Sequence, residues 1–308
     1  MREPQTKAIH LKDYAPPAFR VETVELDVDI RPTDALVRSR LEITRRGAGP
    51  LVLDGDELEL VSVAVNGKPA RHEVTDETLT VHDVADAFTL ETVSRIVPQQ
   101  NTKLEGLYAT KHGFVTQCEA QGFRRITWFL DRPDVMARYT TTVHADKAKY
   151  PVLLSNGNLL ASGSEEKGRH WARFADPFPK PSYLFALVAA NLDVLRDEMT
   201  SRSGQKKQLF VYVERGKLDQ AGWAMDCLKR AIAWDEKRFG LELDLDQYKI
   251  VAVGDFNSGA MENKGLNIFN TKYVLARSDT ATDVDYLNID RVVAHEYFHN
   301  WTGDRVTC

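Results

Sequence analysis

Apolar and polar residues alternate along most of the first 190 residues, and this period restricts the region to β-structure. The clearest case sets four apolar residues against three acidic ones: Val24, Leu26, Val28 and Ile30 against Glu25, Asp27 and Asp29. Strands with one polar face are typical of antiparallel sheets that have one side in water. We therefore predict an all-β domain of antiparallel sheets over residues 1–190.

Shorter stretches of the same pattern support this prediction. Residues 37–43, 61–65 and 79–81 alternate again, and Asn66-Gly67 after the second stretch predicts a tight hairpin turn. In 61–65 the valines at every second position are expected on one buried face. The apolar stretch 182–190 is predicted to be the last strand of the domain, which places a boundary near Asn191.

Helical spacing replaces the alternation after about residue 215. One apolar helix face is predicted from Ala224, Cys227, Leu228, Ala231 and Trp234. Asp219 is a candidate cap for the start of this helix, and Gly240 is expected to follow its last turn. An apolar strand at 249–256, a glycine-rich segment and a second helix come next. Residues 191–308 are therefore predicted to be the first part of an α/β domain.

The second helix contains His-Glu-Tyr-Phe-His at residues 295–299. His295 and His299 are one turn apart, so both imidazoles point to the same side of a helix and can bind one zinc ion. Glu296 lies beside them, where a carboxylate can take a proton from a water molecule. Asp290 is a candidate cap for the helix start, and Gly303 is expected to end it.

Composition argues against several other classes of protein. The net charge of −5 gives no reason to expect nucleic-acid binding. The longest apolar stretch is too short to span a bilayer, and residues 1–14 lack the apolar core of a secretory signal. The cysteines are odd in number and far apart, as reduced thiols would be: Cys118, Cys227 and Cys308. We therefore expect a cytoplasmic protein without a nucleic-acid or membrane partner.

A second motif, Gly259-Ala260-Met261-Glu262-Asn263, follows the apolar strand. Its glycine lets the backbone approach a ligand closely, and its carboxylate could bind a cationic group. On the local pattern alone, a polar turn with an exposed glutamate is the better interpretation.

The two motifs together resemble the aminopeptidase N family of zinc metallopeptidases. Further segments resemble the bacterial branch of that family: 131–134, 154–158, 253–257 and 299–303. The resemblance implies a monomeric zinc enzyme in which a β-rich domain precedes a thermolysin-like catalytic domain. Its substrates would be peptides with a free N-terminal amine, from which it would remove single N-terminal residues.

The resemblance also implies a role for individual residues. His295 and His299 match the two zinc-binding histidines, and Glu296 matches the general base. Glu262 matches the carboxylate that holds the substrate's α-amino group, and Glu119 resembles a second one contributed by the β domain. Two carboxylates near a metal make an anionic pocket that suits a protonated amine, whereas an internal peptide would leave them unpaired.

Other residues of the same segments are carried over as substrate-binding. Gln117 resembles a residue lining the first side-chain pocket, and the backbone of Gly259 and Ala260 matches a segment that lies along the substrate. Met261 and Asn263 belong to the same motif.

In two places the sequence departs from the family pattern. Ser258 stands where bacterial relatives often carry methionine, which leaves the shape of the first pocket open. Asp304 stands where asparagine is expected.

The family's third zinc ligand, a glutamate, would fall near position 318, and an oxyanion-stabilising tyrosine would lie further on. Both positions are beyond residue 308, so we expect a fragment that binds zinc weakly and has little activity by itself.

Two other functions remain open at this point. The chain could be a non-catalytic module that binds peptides or a partner, with the histidines unfilled. It could also be a metallohydrolase with another substrate, as in the epoxide hydrolase relatives of the family. The presence of one base, two metal ligands and two amine-binding acids argues against the non-catalytic module, whereas the residues that could decide the second alternative lie beyond position 308.

Overall fold

The computed structural model describes residues 10–307. Twenty β-strands occur in these residues: β1 Phe19–Ile30, β2 Ala35–Arg45, β3 Leu51–Asp54, β4 Glu59–Val65, β5 Lys68–Pro69, β6 His72–Val74, β7 Thr78–Val81, β8 Ala87–Ile96, β9 Gly106–Thr110, β10 Gly113–Gln117, β11 Met136–Asp146, β12 Val152–Ser155, β13 Asn158–Ser164, β14 Arg169–Pro181, β15 Leu187–Ala190, β16 Leu192–Thr200, β17 Lys206–Glu214, β18 Gln247–Val253, β19 Ala260–Met261 and β20 Leu266–Asn270. The α-helices are α1 Gly222–Phe239 and α2 Asp283–Phe298. Short 3-10 helices cover Leu11–Asp13, Pro98–Gln100, Phe123–Arg125, Glu166–Gly168, Ser182–Leu184, Leu218–Gln220 and Thr271–Tyr273.

An eight-stranded sheet, in the order β13-β14-β11-β1-β2-β8-β4-β5, dominates the first region. Its neighbouring strands are antiparallel except for β1 and β11, which pair in parallel. The apolar side of β1 is buried as predicted: Val24, Leu26, Val28 and Ile30 are each at most 2% exposed. The prediction of a β-rich region built from antiparallel sheets is confirmed, with this one parallel pair as the exception.

Strand β4 shows where alternation misleads. Val63 is buried, but Val61 is 51% exposed, so the prediction of one buried valine face is wrong. The pairing of β4 with β8 shifts between Leu60 and Ser62, so Val61 is the extra residue of a bulge and has no partner in the register. The predicted turn after β4 is confirmed, since Asn66 and Gly67 both have positive φ and connect β4 to β5.

Two smaller antiparallel sheets complete this region, β3-β7-β6 and β12-β15-β10-β9. The strand predicted at 182–190 is shorter than expected, because Ser182–Leu184 form a 3-10 turn and β15 begins at Leu187. The Ser182 hydroxyl donates to a carboxylate oxygen of Asp131 at 2.6 Å, which holds the first residues in that turn.

A five-stranded sheet, in the order β16-β17-β18-β20-β19, lies in the second region. Its central strands β17, β18 and β20 are parallel, and helix α1 connects the first two. The predicted α/β arrangement is therefore confirmed. Helix α1 begins after Ala221 without a side-chain cap, so the prediction for Asp219, which lies in a 3-10 turn, is wrong. Gly240 ends α1 in the left-handed conformation, as predicted.

Helix α2 is longer at its start than the sequence predicted. Thr282 caps it and forms a reciprocal capping box with Asp285, so the prediction of a cap at Asp290 is wrong. Asp290 instead pairs with Arg230 of α1 at 2.6 Å. The regular helix ends at Phe298, before Gly303.

Within residues 10–307, three apolar clusters fill the interior. One lies against the eight-stranded sheet, and a second lies among α1, α2 and the five-stranded sheet. The third joins Val115 and Val188 of the β-rich region to Val251 and Ile268 of the five-stranded sheet. Because this cluster is continuous across the two regions, the boundary near Asn191 remains a prediction.

Cys118 and Cys227 are buried free thiols, and Cys308 lies outside the described residues. Neither α-helix within residues 10–307 has the length and apolar character needed to cross a bilayer.

Candidate active site

The end of helix α2 brings two imidazole rings together at nearly a right angle, with their centroids 4.6 Å apart. The Nε2 atoms of His295 and His299 lie 3.1 Å apart. Nδ1 of His299 donates to the carbonyl oxygen of Thr302 at 2.8 Å, because a carbonyl can only accept. This bond leaves the lone pair of a neutral His299 on Nε2, the atom that points towards His295.

The spacing of the two rings fits a shared metal ion. Nitrogen atoms bound to one tetrahedral zinc ion at about 2.0–2.1 Å lie about 3.3 Å apart, close to the observed separation. Glu262, Glu296 and His299 also offer ligand atoms that lie within 4.8 Å of one another. His295 is not in that group of three, but its Nε2 atom is next to that of His299. Imidazole and carboxylate donors of this kind are those that zinc prefers in hydrolytic sites.

Glu296 is the most buried acid of the cluster. Its side chain points into the protein, and its Oε2 atom has no hydrogen-bond partner within the described part of the chain. Burial, followed by the nearby carboxylates of Glu262 and Glu119, raises the pKa of Glu296 to about 8. A cation bound nearby would favour the charged form again.

Glu262 follows a short edge strand of the five-stranded sheet. Strand β19 pairs with β20 through Ala260 and Phe269, and the carbonyl oxygen of Gly259 accepts a hydrogen bond from the Asn270 amide at 2.9 Å. No other strand of residues 10–307 lies beyond β19 in this sheet. Glu262 is half-buried and close to the acid and imidazole of α2, so the interpretation as an exposed glutamate in a polar turn is wrong.

Glu119 and Gln117 belong to the β-rich region, at and just after the end of β10. Gln117 is buried, and its Nε2 atom donates to the main-chain carbonyl of Glu119 at 3.4 Å. Desolvation and then the Glu262 carboxylate raise the pKa of Glu119, while His299 lowers it. Glu119 is therefore within electrostatic reach of both other elements of the site.

Met261 and Asn263 face the interior. Met261 is 1% exposed and belongs to the apolar cluster between the two regions, so only its main chain can meet a ligand. The side chain of Asn263 is fully buried, and neither its oxygen nor its nitrogen has a hydrogen-bond partner in the described residues.

Two contributors to the site were missed by sequence reasoning. The carbonyl of Thr302 orients His299, but a main-chain atom leaves no signal in the side-chain pattern. Lys264 is only 1% exposed and binds Asn300, the residue after His299. Its position two residues after Glu262 was the available signal.

Comparison with known proteins identifies the family. Residues 22–184, more than half of the chain, match the peptidase M1 N-terminal domain, and residues 223–308 match the peptidase family M1 domain. The chain is 56% identical over 310 residues to aminopeptidase N of Escherichia coli, with all of this chain and 35% of that protein covered. It is 53% identical over 313 residues to aminopeptidase N of Caulobacter vibrioides, which covers all of this chain and 36% of the relative.

A solved structure has the same fold. The crystal structure of Legionella pneumophila aminopeptidase A in complex with aspartic acid superposes with a TM-score of 0.91 at 37% identity, covering 96% of this chain and 36% of that one. The chain thus spans about a third of the length of the relatives it matches. The resemblance stated from the two motifs is confirmed, and the chain belongs to peptidase family M1.

Proposed function

We propose that this chain carries the metal-binding and amine-binding part of an aminopeptidase, which removes single residues from the N-terminus of peptides. One observation carries the proposal: ligand atoms of Glu262, Glu296 and His299 lie within 4.8 Å of one another, although they come from two separate elements. The names of the relatives support the same reaction, since two of them are called aminopeptidase N.

His295 and His299 would hold the metal, for which zinc is the best candidate. When bound there, a zinc ion polarises a peptide carbonyl and makes a water molecule more acidic. Glu296 would accept the proton of the attacking water and then deliver it to the leaving amine. Because both Glu296 and Glu262 have a carboxylate oxygen within 4.8 Å of His299, the assignment of Glu296 as base and not ligand is part of the proposal.

Glu262 and Glu119 would bind the protonated α-amino group of the substrate. Two carboxylates at the mouth of one site create a negative potential, and each gains a charge-assisted hydrogen bond when an ammonium group enters. The edge of β19 that faces away from β20, at Ala260, offers main-chain groups to an extended peptide, as edge strands do in other peptide complexes, while the carbonyl of Gly259 is bound to Asn270. Peptides with a free N-terminal amine are therefore the proposed partners.

The isolated 308-residue chain should bind zinc weakly. If Glu296 is the base and Glu262 holds the amine, the donors of this cluster within residues 10–307 leave only two imidazoles for the metal. Structural and catalytic zinc sites use at least three protein ligands. Equilibrium dialysis of the chain should give weak binding and an assay little activity, and tight stoichiometric zinc would refute this part of the proposal.

Hydrolysis of an amino-acid anilide by the full-length gene product tests the function. We expect cleavage of the anilide with a free amine, little cleavage of its N-acetylated form, and loss of activity with a chelator that zinc restores. Glu262→Gln should reduce the preference for the free amine about 10- to 100-fold, because a hydrogen bond between charged groups is lost. The matched control is Glu105→Gln, an exposed glutamate outside the site.

The same assay separates the alternatives. Binding of peptides without hydrolysis would favour a non-catalytic module, and equal cleavage of free and acetylated anilides would refute recognition of the amine. The preferred side chain at the substrate N-terminus, a cytoplasmic location and a monomeric state remain predictions.

A further inference from the structure

Lys264 is buried beside the proposed site, and its ammonium group contacts four oxygen atoms. Nζ lies 2.8 and 3.0 Å from the two carboxylate oxygens of Asp244. It lies 3.1 Å from the main-chain oxygen of Asn300 and 2.9 Å from its side-chain oxygen. Lys264 therefore binds two separate segments: the loop before β18 and the end of helix α2.

The contact with Asn300 lies at the end of helix α2 that carries His295 and His299. Asn300 directly follows His299, and its amide donates to the carbonyl of Tyr297 in the last turn. Its side-chain nitrogen donates to Asp244 at 3.1 Å, so Asn300, Asp244 and Lys264 bind one another in a closed set of contacts. Movement of the end of α2 relative to this set would break several hydrogen bonds at once.

The main chain of Lys264 is held from the other direction. Its carbonyl oxygen accepts a hydrogen bond from the side chain of Asn156, at 2.9 Å. Asn156 is itself buried and bound to the main chain of Leu184 and Ala186 in the β-rich region. The segment that contains Glu262, two residues before Lys264, is thus fixed to the β-rich region on one side and to α2 on the other.

Stability alone is a weak reason for such an arrangement. A buried ion pair gains Coulomb energy but loses the hydration of both ions, and well-packed apolar residues are often at least as stabilising. A directed ammonium with several oxygen partners does, however, define distances between the segments that it joins. Here those segments carry Glu262 and His299.

A second buried lysine provides a comparison within the same molecule. Lys249 in β18 has the same 1% exposure as Lys264, and its Nζ donates to the main-chain oxygens of Gly157 and Ser155. It joins the five-stranded sheet to the β-rich region and makes no hydrogen bond to α2. The two lysines are equally buried, but Lys249 binds only main-chain oxygens, whereas Lys264 also pairs with Asp244 and binds the end of helix α2.

We propose that Lys264 is a positioning residue, which sets the spacing between the amine-binding Glu262 and the metal-binding histidines through Asn300. The inference rests on the proposed function and adds to it: a substrate must place its ammonium on Glu262 and its carbonyl at the metal at the same time. An error of about 1 Å in that spacing can cost up to about 100-fold.

Binding of two hydroxamates to the zinc-loaded full-length protein measures this spacing directly. Alanine hydroxamate can reach the metal and Glu262 together, whereas N-acetylalanine hydroxamate can reach only the metal. The dissociation constant of N-acetylalanine hydroxamate divided by that of alanine hydroxamate, both measured by calorimetry, therefore reports how well Glu262 and the metal site are aligned. A larger ratio means better alignment. The zinc dissociation constant and thermal unfolding are measured in parallel.

Lys264→Met should lower the ratio about tenfold or more, while binding of the acetylated compound changes less than about threefold. Lys249→Met, the matched control, should keep the wild-type ratio even if it changes stability. Asn300→Ala removes the side-chain oxygen from the same set of contacts, leaves the main-chain contact with Lys264 in place, and serves if Lys264→Met does not fold. If both act through one contact, the double variant should lose no more than the single ones.

The outcomes separate this inference from the function on which it rests. A wild-type ratio near one would refute the proposed amine recognition and this inference with it. A wild-type preference that persists in both Lys264→Met and Asn300→Ala would refute the positioning role alone. An equal loss in Lys249→Met would show that any buried lysine has this effect, and would also refute it.

Discussion

Gly303 leaves the space that the ring of His299 occupies: a Cβ atom on this glycine would lie 2.7 Å from Nδ1 of the histidine. The same nitrogen donates to the carbonyl of Thr302, the preceding residue. The loop after α2 therefore holds the imidazole by one hydrogen bond and one close main-chain approach. Contacts of this kind orient a metal-binding histidine and select its tautomer.

Gly303→Ala should weaken metal binding as well as the fold. Its φ of +134° disfavours a side chain, and the added methyl group would displace His299. We expect a loss of about 1–3 kcal/mol in the free energy of unfolding. We also expect about 10- to 100-fold weaker metal binding, measured by Co²⁺ titration of the full-length protein.

The control for this change is Gly216→Ala. Gly216 also has a positive φ, but nothing lies within 4 Å of its added Cβ. The Gly216→Ala variant should be less stable than the wild type and should bind the metal with unchanged affinity. Equal weakening of Co²⁺ binding in both variants would contradict the explanation.

Removal of either imidazole should reduce metal affinity more strongly. His295→Ala and His299→Ala each remove a proposed ligand, so we expect more than about 100-fold weaker zinc binding, beyond the usual effect of an outer residue. His72→Ala removes an exposed histidine of the β-rich region and should bind zinc as the wild type does. Unchanged zinc affinity in either ligand variant would rule out the proposed pair.

His144 should make stability depend on pH. Its ring lies between two carboxylates, Asp27 at 3.0 Å and Glu165 at 2.7 Å. The hydrogen bond to Asp27 and, after the opposing effect of burial, that to Glu165 raise the pKa of His144 above its ordinary 6.5. A neutral imidazole has one N–H and can donate to only one of the two acids.

Because the pKa of His144 is raised in the folded state, its stabilising effect decreases as pH rises. The stabilisation by His144 is complete below 6.5, where the unfolded chain is also protonated, and is lost as pH rises through the higher pKa of the folded state. The free energy of unfolding of the wild type should therefore exceed that of His144→Gln by about 1 kcal/mol at about pH 6, and this difference should disappear by about pH 9. Urea unfolding at both pH values measures the difference, and an advantage that grows with pH would contradict the assignment.

Lys249 should make stability depend on pH in the opposite direction. Burial lowers the pKa of its ammonium to about 7. Between that value and the ordinary 10.5, the unfolded chain binds more protons than the folded one, so stability rises with pH. The free energy of unfolding of the wild type, relative to Lys249→Met, should increase by about 2–4 kcal/mol from about pH 7 to about pH 10.

Lys206→Met is the control for this comparison. Lys206 is exposed, with 73% of its side chain in solvent, and its pairing with Glu198 is on the surface. Its unfolding free energy should follow the wild type across the same pH range. A flat difference between the wild type and Lys249→Met would show that the buried ammonium keeps its charge.

Local patterns were reliable where the backbone period or a single turn residue decides the outcome. Alternation predicted β1, Asn66-Gly67 predicted the turn after β4, and Gly240 predicted the end of α1. Alternation failed at Val61, because a bulge in the pairing of β4 with β8 leaves this residue outside the register. The cap predicted at Asp219 failed because α1 begins only after Ala221, and the cap predicted at Asp290 failed because α2 begins earlier, at the cap Thr282.

For the candidate site, the sequence predicted the members but not their arrangement. His295 and His299 face one side because helix geometry is local and repeats every 3.6 residues. Glu119 and Glu262 were assigned by family resemblance, since nothing in their neighbouring residues shows that two separate sheets bring them together. Lys264 was not assigned at all, because its partners are distant in sequence.

By itself, the sequence determined the order of a β-rich region and an α/β region, and the turn that carries two imidazoles. These features depend on backbone periods and on hydrogen bonds between near neighbours. Only the tertiary structure decided which acids meet those imidazoles, that β1 and β11 pair in parallel, and that Lys264 joins the Glu262 segment to the end of α2. Such contacts join segments far apart in sequence, so they exist only once the sheets and helices have packed.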